Sequence, residues 1–338
     1  MESPHSDTVP ARDCLGGCDV LFVRTGFESF RSGDDQAQEA DPVSWRAWLA
    51  FGALGVIWGV PYFFIRIAVQ EVPPLVVVWG RLTLAALVLL PVAASRGSIR
   101  SLRGHLGAVF AFALVEFVGP FTAISYGERW ISSSVTGILI AGVPLTIAVI
   151  SRFFGLHEPL GFVRTLGLLV GLSGVVALTG LGTIAGASGW AGLGCMVLAT
   201  LGYATGPLII QRHLKHLDSI GPVAASLAVS SAVLLPPALL SLPRQLPSAL
   251  ALSSIAVLGL LCSAVAMLLM FYLVKHAGAA RATVITYINP VVAAFLGVWL
   301  LHERLGWGGY IALAAILTGS WLATRAAAPA RSDVVEAT

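Results

Sequence analysis

From Trp45 onward the chain alternates long apolar runs with short turns rich in glycine, proline or charge. Ten such runs can be counted, each with roughly the 20 residues that a helix needs to cross a bilayer. They lie at approximately 47–70, 74–95, 105–126, 130–153, 161–180, 189–211, 219–241, 251–274, 279–301 and 307–325. Runs this continuous predict helices, because membrane strands are shorter segments of alternating hydrophobicity. The pattern therefore predicts an all-α membrane protein with ten transmembrane helices.

The composition agrees with a chain that is mostly surrounded by lipid. Hydrophobic residues make up 57% of the chain and charged residues 11%, whereas soluble domains carry about 25% charged residues. The basic residues stand singly between apolar runs, which argues against a nucleic-acid partner. We expect neither metal nor cofactor, because the lone Cys14-x3-Cys18 motif has no second pair. The sequence also contains no Walker A loop, so it does not encode ATP-driven transport.

The two ends of the chain differ from its middle. Residues 1–45 hold nine of the seventeen acidic residues, and their low apolar content predicts a disordered cytoplasmic tail. They lack the apolar core and cleavage site of a signal peptide, and a translation start nearer Val43 is an alternative. Residues 326–338 are expected to form a short cytoplasmic C-terminal tail.

The loops carry an asymmetric distribution of Lys and Arg that predicts orientation. If the N-terminal tail is cytoplasmic, eleven basic residues lie at cytoplasmic loop ends and three, Arg129, Arg244 and Arg304, lie on the opposite side. Cytoplasmic loops are enriched in Lys and Arg. We therefore expect both termini in the cytoplasm.

The chain also repeats itself. Short matches recur at offsets of 145 or 146 residues, among them Tyr126 with Tyr272, Pro144 with Pro290, and Gly174 with Gly319. Each half then holds five spans, 47–180 in the first and 189–325 in the second. Because five is odd, the second half enters the membrane inverted, an arrangement typical of secondary transporters.

Four segments carry a recognisable pattern, namely Ile57–Arg66, Trp79–Leu87, Tyr287–Gly297 and Leu301–Leu305. Together they resemble the EamA family of the drug/metabolite transporter superfamily. A signature of proline, small residues and a later glutamate occurs in both halves. His precedes that glutamate in both repeats, where the family usually has Gly.

The resemblance covers roughly residues 47–325 and implies two inverted five-helix repeats around a central cavity. The fifth and tenth spans would be peripheral. Family members move amino acids, other small metabolites or toxic compounds, often outward and often with proton exchange, and the family does not fix the substrate.

Two charges lie inside the predicted spans and are the first candidate site residues. Glu116 sits in the middle of the third span and Arg81 in the second. At 1.5 Å per residue they lie roughly 15 and 10 Å below the same membrane surface, so a salt bridge or a shared water can join them. Intramembrane charges are costly and often functional. We expect substrate recognition and proton coupling here; a permanent buried pair is the alternative.

Aromatic and amide side chains supply further candidates for a substrate cavity. Trp58 and Tyr62 are four residues apart and share a helix face. Trp79, Tyr287 and Asn289 lie in other spans. All five are predicted to line the cavity, with Asn289 able to hydrogen-bond a substrate.

Prolines and glutamates near span ends have structural interpretations. Pro144 and Pro290 are predicted to bend their helices. Glu158 and Glu303 each precede a span and are predicted to cap it. Arg66 is expected to extend to lipid headgroups.

Small residues in the fifth and tenth spans predict close helix packing, and a homodimer contact is a second interpretation. The sequence as a whole predicts a multi-pass inner-membrane transporter of small organic metabolites, with export in exchange for protons as the expected mode. A proton- or ion-coupled importer of the same fold is the first alternative. An intramembrane serine hydrolase is the second, because Gly171–Gly174 and Gly186–Gly189 fit G-x-S-G.

Overall fold

The described part of the chain is built from helices, with no strand among its residues. The computed structural model describes residues 45–153, 162–180, 184, 186–277 and 285–324. The predicted tails, residues 1–44 and 326–338, and Glu158 lie outside these ranges. The α-helices within them are α1 Trp45–Gly59, α2 Pro61–Ala68, α3 Pro74–Ser95, α4 Leu106–Phe112, α5 Gly119–Gly127, α6 Ser133–Ile140, α7 Val143–Phe153, α8 Phe162–Gly180, α9 Gly186–Ile209, α10 Ile220–Leu240, α11 Ala249–Gly259, α12 Ala266–Ala277, α13 Ile285–Leu300 and α14 Trp307–Thr324.

π-Helical turns interrupt some of the longer helical stretches. They span Ala113–Val118, Ile210–Leu214 and Leu260–Val265 in the described part of the chain. The first joins α4 to α5, and the third joins α11 to α12. Such turns leave some backbone carbonyls without their usual partner, the N–H four residues later, and they are frequent at functional sites.

Local sequence explains where several helices begin. α2 and α3 start at Pro61 and Pro74, because proline has no N–H to leave unsatisfied in a first helical turn. α6 and α11 follow Ser132 and Ser248, whose hydroxyls accept hydrogen bonds from backbone N–H groups three residues later.

Seven helical stretches are long and apolar enough to cross a membrane within the described ranges. They are Trp48–Ala68, Pro74–Ser95, Leu106–Gly127, Ser133–Ile150, Gly186–Leu214, Ile220–Leu240 and Ala249–Leu273. Three further apolar segments within α8, α13 and α14, namely Thr165–Leu178, Tyr287–Leu300 and Trp307–Leu322, are each 10–17 residues long. They coincide with the predicted fifth, ninth and tenth spans, so the count of ten stays a prediction.

The two predicted repeats contact each other helix by helix. α3 packs on α10, α6 on α13, and α8 on α14. Each of these pairs joins a span of the first half to the corresponding span of the second half. α1 and α2 pack on α12 and α11, while α5 packs on α9. In these last contacts the first span packs on the eighth and the third span packs on the sixth. Swapping the two halves turns one of these contacts into the other, so the packing is reciprocal.

One set of turns forms what we call the Glu71 end of the bundle. The Glu71 carboxylate accepts bonds from the Ser248 N–H at 2.6 Å and from its hydroxyl at 2.7 Å. Glu303 accepts bonds from Ser133 at the start of α6. All of these turns follow an odd-numbered span of the predicted order.

The turns that follow even-numbered spans form the opposite His105 end. The Ser98 hydroxyl donates to the Asp218 carboxylate. His105 and His216 bring their Nε2 atoms within 3.2 Å. Among the hydrogen bonds described, loops therefore pair only with loops of the same predicted membrane side.

Small residues bring helices into close contact within the chain. A Cβ added at Gly319 of α14 would meet the backbone of Gly167 and Gly171 in α8. These small residues of the fifth and tenth predicted spans therefore pack α8 against α14 within one chain. A contact between two copies of the chain was the second interpretation of the same residues. On α1, a Cβ at Gly59 would collide with Val292 of α13 and approach the Asn289 carbonyl oxygen.

We expect Gly59→Ala to lower the melting temperature of the purified protein. Overpacking a close contact costs about 1–3 kcal/mol. Gly52→Ala is the matched control, because a Cβ at Gly52 meets nothing within 4 Å and alanine favours a helix by roughly 0.5–1 kcal/mol. In detergent, the melting temperature of Gly52→Ala should equal or exceed that of the parent protein. Equal melting temperatures for Gly59→Ala and Gly52→Ala would contradict the close contact between Gly59 and Val292.

Candidate functional site

Glu116 occupies a π-helical turn and faces the other half of the molecule. Its Oε2 atom is buried and has no hydrogen-bond partner among the described residues. The carboxyl group lies against Gly206 of α9, where an added Cβ would collide with it. A second glycine one turn earlier, Gly202, lets the Val115 carbonyl and Pro120 approach α9. Two glycines therefore make room for a carboxyl group in the contact between α9 and this turn.

A second π-helical turn lies at the corresponding place of the other repeat. Leu260–Val265 starts 147 residues after Ala113–Val118, close to the offset of the sequence repeat. It presents Ser263, whose hydroxyl donates to the Leu258 carbonyl at 2.9 Å. The two turns are thus equivalent in position, but one carries a carboxyl group and the other a hydroxyl.

Arg81 is held by this second turn. Its Nε donates to Ser263 Oγ at 2.8 Å, and its guanidinium lies over the Phe121 ring at 4.0 Å from the centroid. Only 7% of the residue is exposed. No ion pair joins Arg81 to Glu116 in the described part of the chain. The direct salt bridge is therefore not formed in this conformation, in which Arg81 contacts the Ser263 hydroxyl and the Phe121 ring instead.

Aromatic rings connect the two charged groups. Phe117 packs edge-on against Phe121 at 5.7 Å, and Phe121 packs edge-on against Tyr203 of α9 at 6.4 Å. Edge-to-face contacts at these distances are favourable. Tyr203 also packs against both of the hydrophobic clusters into which the core divides, so it links the halves of the site.

The aromatic residues predicted from sequence are spread over the core. Tyr62 is buried and packs beside Gly137 of α6. Trp79 is half-buried against the cluster that contains Phe121. Trp58 and Tyr287 are half-buried. The structure therefore associates Trp79 most directly with the surroundings of Arg81.

Asn289 has partners inside the protein. With its amide nitrogen turned toward two carbonyls, it donates to Gly55 O at 2.9 Å and to Ile285 O at 3.0 Å. These bonds tie α13 to α1, so the side chain supports helix packing at this position.

The predicted helix bends differ from each other. α6 ends at Ile140 and α7 begins at Val143, so the helix restarts where Pro144 occupies the first turn. α13 continues through the buried Pro290 without interruption. A first-turn proline costs no hydrogen bond, whereas an internal one leaves a carbonyl free.

Glu303 caps a helix, but not the one that follows it. α14 begins only at Trp307. The Glu303 carboxylate instead accepts four hydrogen bonds, from the N–H and hydroxyl groups of Ser133 and Ser134 at 2.6–2.9 Å. His302 takes a left-handed backbone with φ of 54°, and this turn directs Glu303 to α6. We call this contact the Glu303 clamp.

Sequence reasoning missed Glu128 and misplaced Arg66. Glu128 follows α5 and is 0% exposed. Its carboxyl oxygens are buried without partners among the described residues. Arg66 donates to the Glu128 backbone carbonyl and does not extend to headgroups, because the C-terminus of α5 offers it an acceptor. A glutamate in a short turn beside Arg129 looks like an exposed loop residue, so no sequence signal marked it.

The described residues contain no group of three His, Cys, Asp or Glu side chains that could hold a metal ion. Ser173, in the first G-x-S-G match, lies on the exposed face of α8 and donates to its own helix at Val170 O. This places the motif in helix packing, away from the buried charges.

Comparison with known proteins then decides the family. The model of the EamA-like transporter family matches residues 45–180 and again 190–325. The chain belongs to the EamA-like transporter family. The resemblance noted in the sequence is thereby confirmed, and its two repeats coincide with the two matches.

Several relatives of this EamA-like transporter carry transporter names. The Escherichia coli K12 protein named "Uncharacterized inner membrane transporter YedA" is 29% identical over 278 residues, covering 81% of this chain and 89% of the relative. The Bacillus subtilis protein named "Uncharacterized transporter YoaV" is 26% identical over 256 residues, covering 74% and 87%. A solved crystal structure with 19% identity superimposes with a TM-score of 0.58 over 82% of this chain and 97% of the other, which shows a shared fold.

Family and helices together make this EamA-like transporter a multi-pass membrane protein. Two matches of one family model and seven apolar helical stretches carry that conclusion. Glu116, Arg81 and Glu128 then lie within or beside membrane-spanning helices, where ionisable groups are costly and are candidates for functional sites.

We expect Ser263→Ala to destabilise the transporter, because the substitution removes the acceptor of Arg81 Nε. A buried donor left without its partner costs about 1–3 kcal/mol. Ser253→Ala is the matched control, since Ser253 is exposed on α11 and bonds only within its own helix. Melting in lipid nanodiscs should show a lower midpoint for Ser263→Ala alone, and equal midpoints would contradict the role of the Arg81–Ser263 bond.

Proposed function

We propose that this EamA-like transporter is a secondary-active exporter of small organic metabolites that exchanges them for protons. The observation that carries the proposal is the Glu116 carboxyl group. It lies at the contact between the two repeats with one oxygen buried and unpartnered. A carboxyl group in apolar surroundings requires either a proton or a positively charged partner. If the Glu116 carboxyl group binds a proton and a cationic group of the substrate in turn, the inward movement of protons is linked to the outward movement of substrate.

Arg81 would supply the opposite charge of the same site. It is buried and already bonded to Ser263, with its guanidinium over Phe121. Arginine can bind a carboxylate or phosphate through several donors at once, and Nε uses one of them here. A site with one carboxyl group and one guanidinium, linked by aromatic rings, suits small molecules that carry both polar and apolar parts.

The proposed topology has ten spans in two inverted repeats with both termini cytoplasmic. The reciprocal packing of the halves and the sorting of loops into two ends support it. The excess of Lys and Arg on one side favours the His105 end as cytoplasmic. The Glu71 end then faces the outside of the inner membrane.

Alternating access would open the two ends in turn. At the Glu71 end, the Glu71–Ser248 bonds and the Glu303 clamp each join one repeat to the other. At the His105 end, Ser98–Asp218 and His105–His216 do the same. Breaking either set would let the halves rock apart on that side while the other set holds.

We expect Glu116→Gln to abolish proton-driven export, because a neutral amide cannot exchange a proton. Cells that produce the transporter should release more of one or more metabolites into the medium than cells with Glu116→Gln, as measured by untargeted mass spectrometry of the medium. The wild-type release should grow as the outer pH is lowered. Ser253→Ala, which alters an exposed side chain that bonds only within α11, is the control and should keep export.

Equal metabolite concentrations in the media of cells with wild type and with Glu116→Gln, at matched protein levels in the membrane, would contradict the role of Glu116 in coupling export to protons. Depletion of a metabolite from the medium by the wild type would favour the importer of the same fold instead.

The topology generates a separate prediction. Leu246 at the Glu71 end is 97% exposed, and Arg103 near the His105 end is also exposed. After the four native cysteines are replaced by alanine, Leu246→Cys should react with a membrane-impermeant maleimide in intact cells. Arg103→Cys should react only after permeabilisation. The reverse pattern would invert the proposed orientation.

A further inference from the structure

Glu128 is a buried acid that the proposed mechanism does not use. It follows the last turn of α5, between two membrane-spanning stretches, and no part of it is exposed. Both carboxyl oxygens are buried, and neither has a hydrogen-bond donor among the described residues. An ionised carboxylate would lose its hydration there without any compensating bond.

Charged and polar groups face Glu128 from each neighbouring element. Arg66 of α2 donates to the Glu128 carbonyl oxygen, not to its carboxyl group. Arg81 of α3 and Glu303 of the turn before α14 lie within electrostatic range, as does the Tyr62 hydroxyl of α2. The surroundings thus contain two positive groups and one negative group, with no direct bond to the carboxyl oxygens.

The negative group has hydrogen-bond partners that Glu128 lacks. The Glu303 carboxylate accepts four hydrogen bonds at the start of α6, whereas the Glu128 carboxyl oxygens accept none among the described residues. Two neighbouring carboxylates repel each other, so Glu128 is the carboxyl group of the pair that a proton would stabilise.

The balance of these influences agrees with that assignment. Burial raises the pKa of Glu128 well above its usual range, and the Glu303 charge raises it further. Arg66 and Arg81 lower the pKa, but by less.

We propose that Glu128 is a second proton-binding carboxyl group of this transporter, holding a proton while the Glu303 clamp is closed and exchanging it with water when the clamp opens. The link of this proton to transport rests on the proposed function; its binding to Glu128 does not. When the clamp opens, the Glu128 O–H bond breaks, the proton passes to water at the Glu71 end, and the carboxylate can pair with Arg66.

A proton suits this site better than a metal cation does. Sodium and calcium require several oxygen ligands, whereas the Glu128 carbonyl is already occupied by Arg66. The positive charges of Arg66 and Arg81 repel a free cation. A proton forms a covalent bond to one oxygen and leaves the group neutral among them.

Infrared spectroscopy tests the proposal without a substrate. The starting variant is Glu116→Gln in lipid nanodiscs, which removes the other carboxyl group among the described residues that has a buried oxygen without a hydrogen-bond partner. At neutral pH we expect this variant to show the carbonyl-stretch band of a protonated carboxylic acid. Adding Glu128→Gln should abolish the band, whereas adding Glu71→Gln, the exposed control, should leave it.

Each other outcome overturns the proposal. A band that is absent from Glu116→Gln, or that survives Glu128→Gln, would place the proton elsewhere. Loss of the band when sodium chloride replaces choline chloride at fixed pH would assign a cation to the site. If the double variant does not fold, the band of Glu116→Gln is titrated alone. Its disappearance near the ordinary glutamate pKa of about 4.3 would equally sink the assignment.

The clamp is tested by the same titration. Glu303→Gln removes the neighbouring negative charge, so the midpoint of the Glu128 band should move to lower pH. Ser133→Ala keeps that charge and removes one donor from the clamp, and it should change the midpoint less. Equal pH midpoints of the Glu128 band in Glu303→Gln and its parent would show that the clamp does not influence the Glu128 proton. A transporter that shows the expected Glu128 band but does not export would contradict the proposed function and not the binding of a proton to Glu128.

Stability provides an independent readout with a defined sign. A carboxyl group whose folded pKa is raised binds its proton more tightly when folded, so its contribution to stability is lost as pH rises above the unfolded pKa of about 4.3. Glu128→Gln cannot titrate. Its melting temperature relative to the parent should therefore increase between about pH 5 and pH 8, and a constant difference would contradict a raised pKa.

Discussion

The constraint on which this molecule depends is that polar groups inside an apolar helix bundle must find their partners within the protein. No water is available along a lipid-facing helix to satisfy a free carbonyl or a charge. The described serines meet this constraint repeatedly. Ser230 donates to the Ala113 carbonyl at the start of one π-helical turn, and Ser263 serves both Leu258 and Arg81 near the other. The constraint is left unmet at the carboxyl groups of Glu116 and Glu128, which is why the proposals above concern these two residues.

Duplication and divergence together explain the central site. The two π-helical turns occupy equivalent places in the repeats, and the helices around them pack reciprocally. Their side chains are not equivalent, since one turn carries Glu116 and the other Ser263. Ser226 stands 145 residues after Arg81 and donates to a backbone carbonyl, Val109 O. The scaffold is therefore nearly symmetric while its charges are not, which gives a pseudo-symmetric protein a polar site with two different halves.

The two ends of the bundle are closed by different chemistry. At the Glu71 end, exposed and half-buried carboxylates bind serine N–H and hydroxyl groups at helix starts. Burial is absent at Glu71, and the Ser248 bonds lower the pKa of its carboxyl group, so that this contact persists at neutral pH. At the His105 end, an imidazole pair and one serine–aspartate bond join the loops. Each set of contacts crosses between the repeats.

The sequence by itself determined the all-helical membrane class, the repeat at 145–146 residues and the family, because hydropathy and repeat offsets are properties of the chain alone. An isolated charge in an apolar run also made Glu116 a candidate site residue. It could not show that Arg81 bonds Ser263, since those residues are 182 positions apart. Nor could it direct Glu303 to α6 or bury Glu128, whose short turn reads as an exposed loop. Burial and hydrogen-bond partners are decided by which distant helices meet, and only the tertiary structure brings those surfaces together.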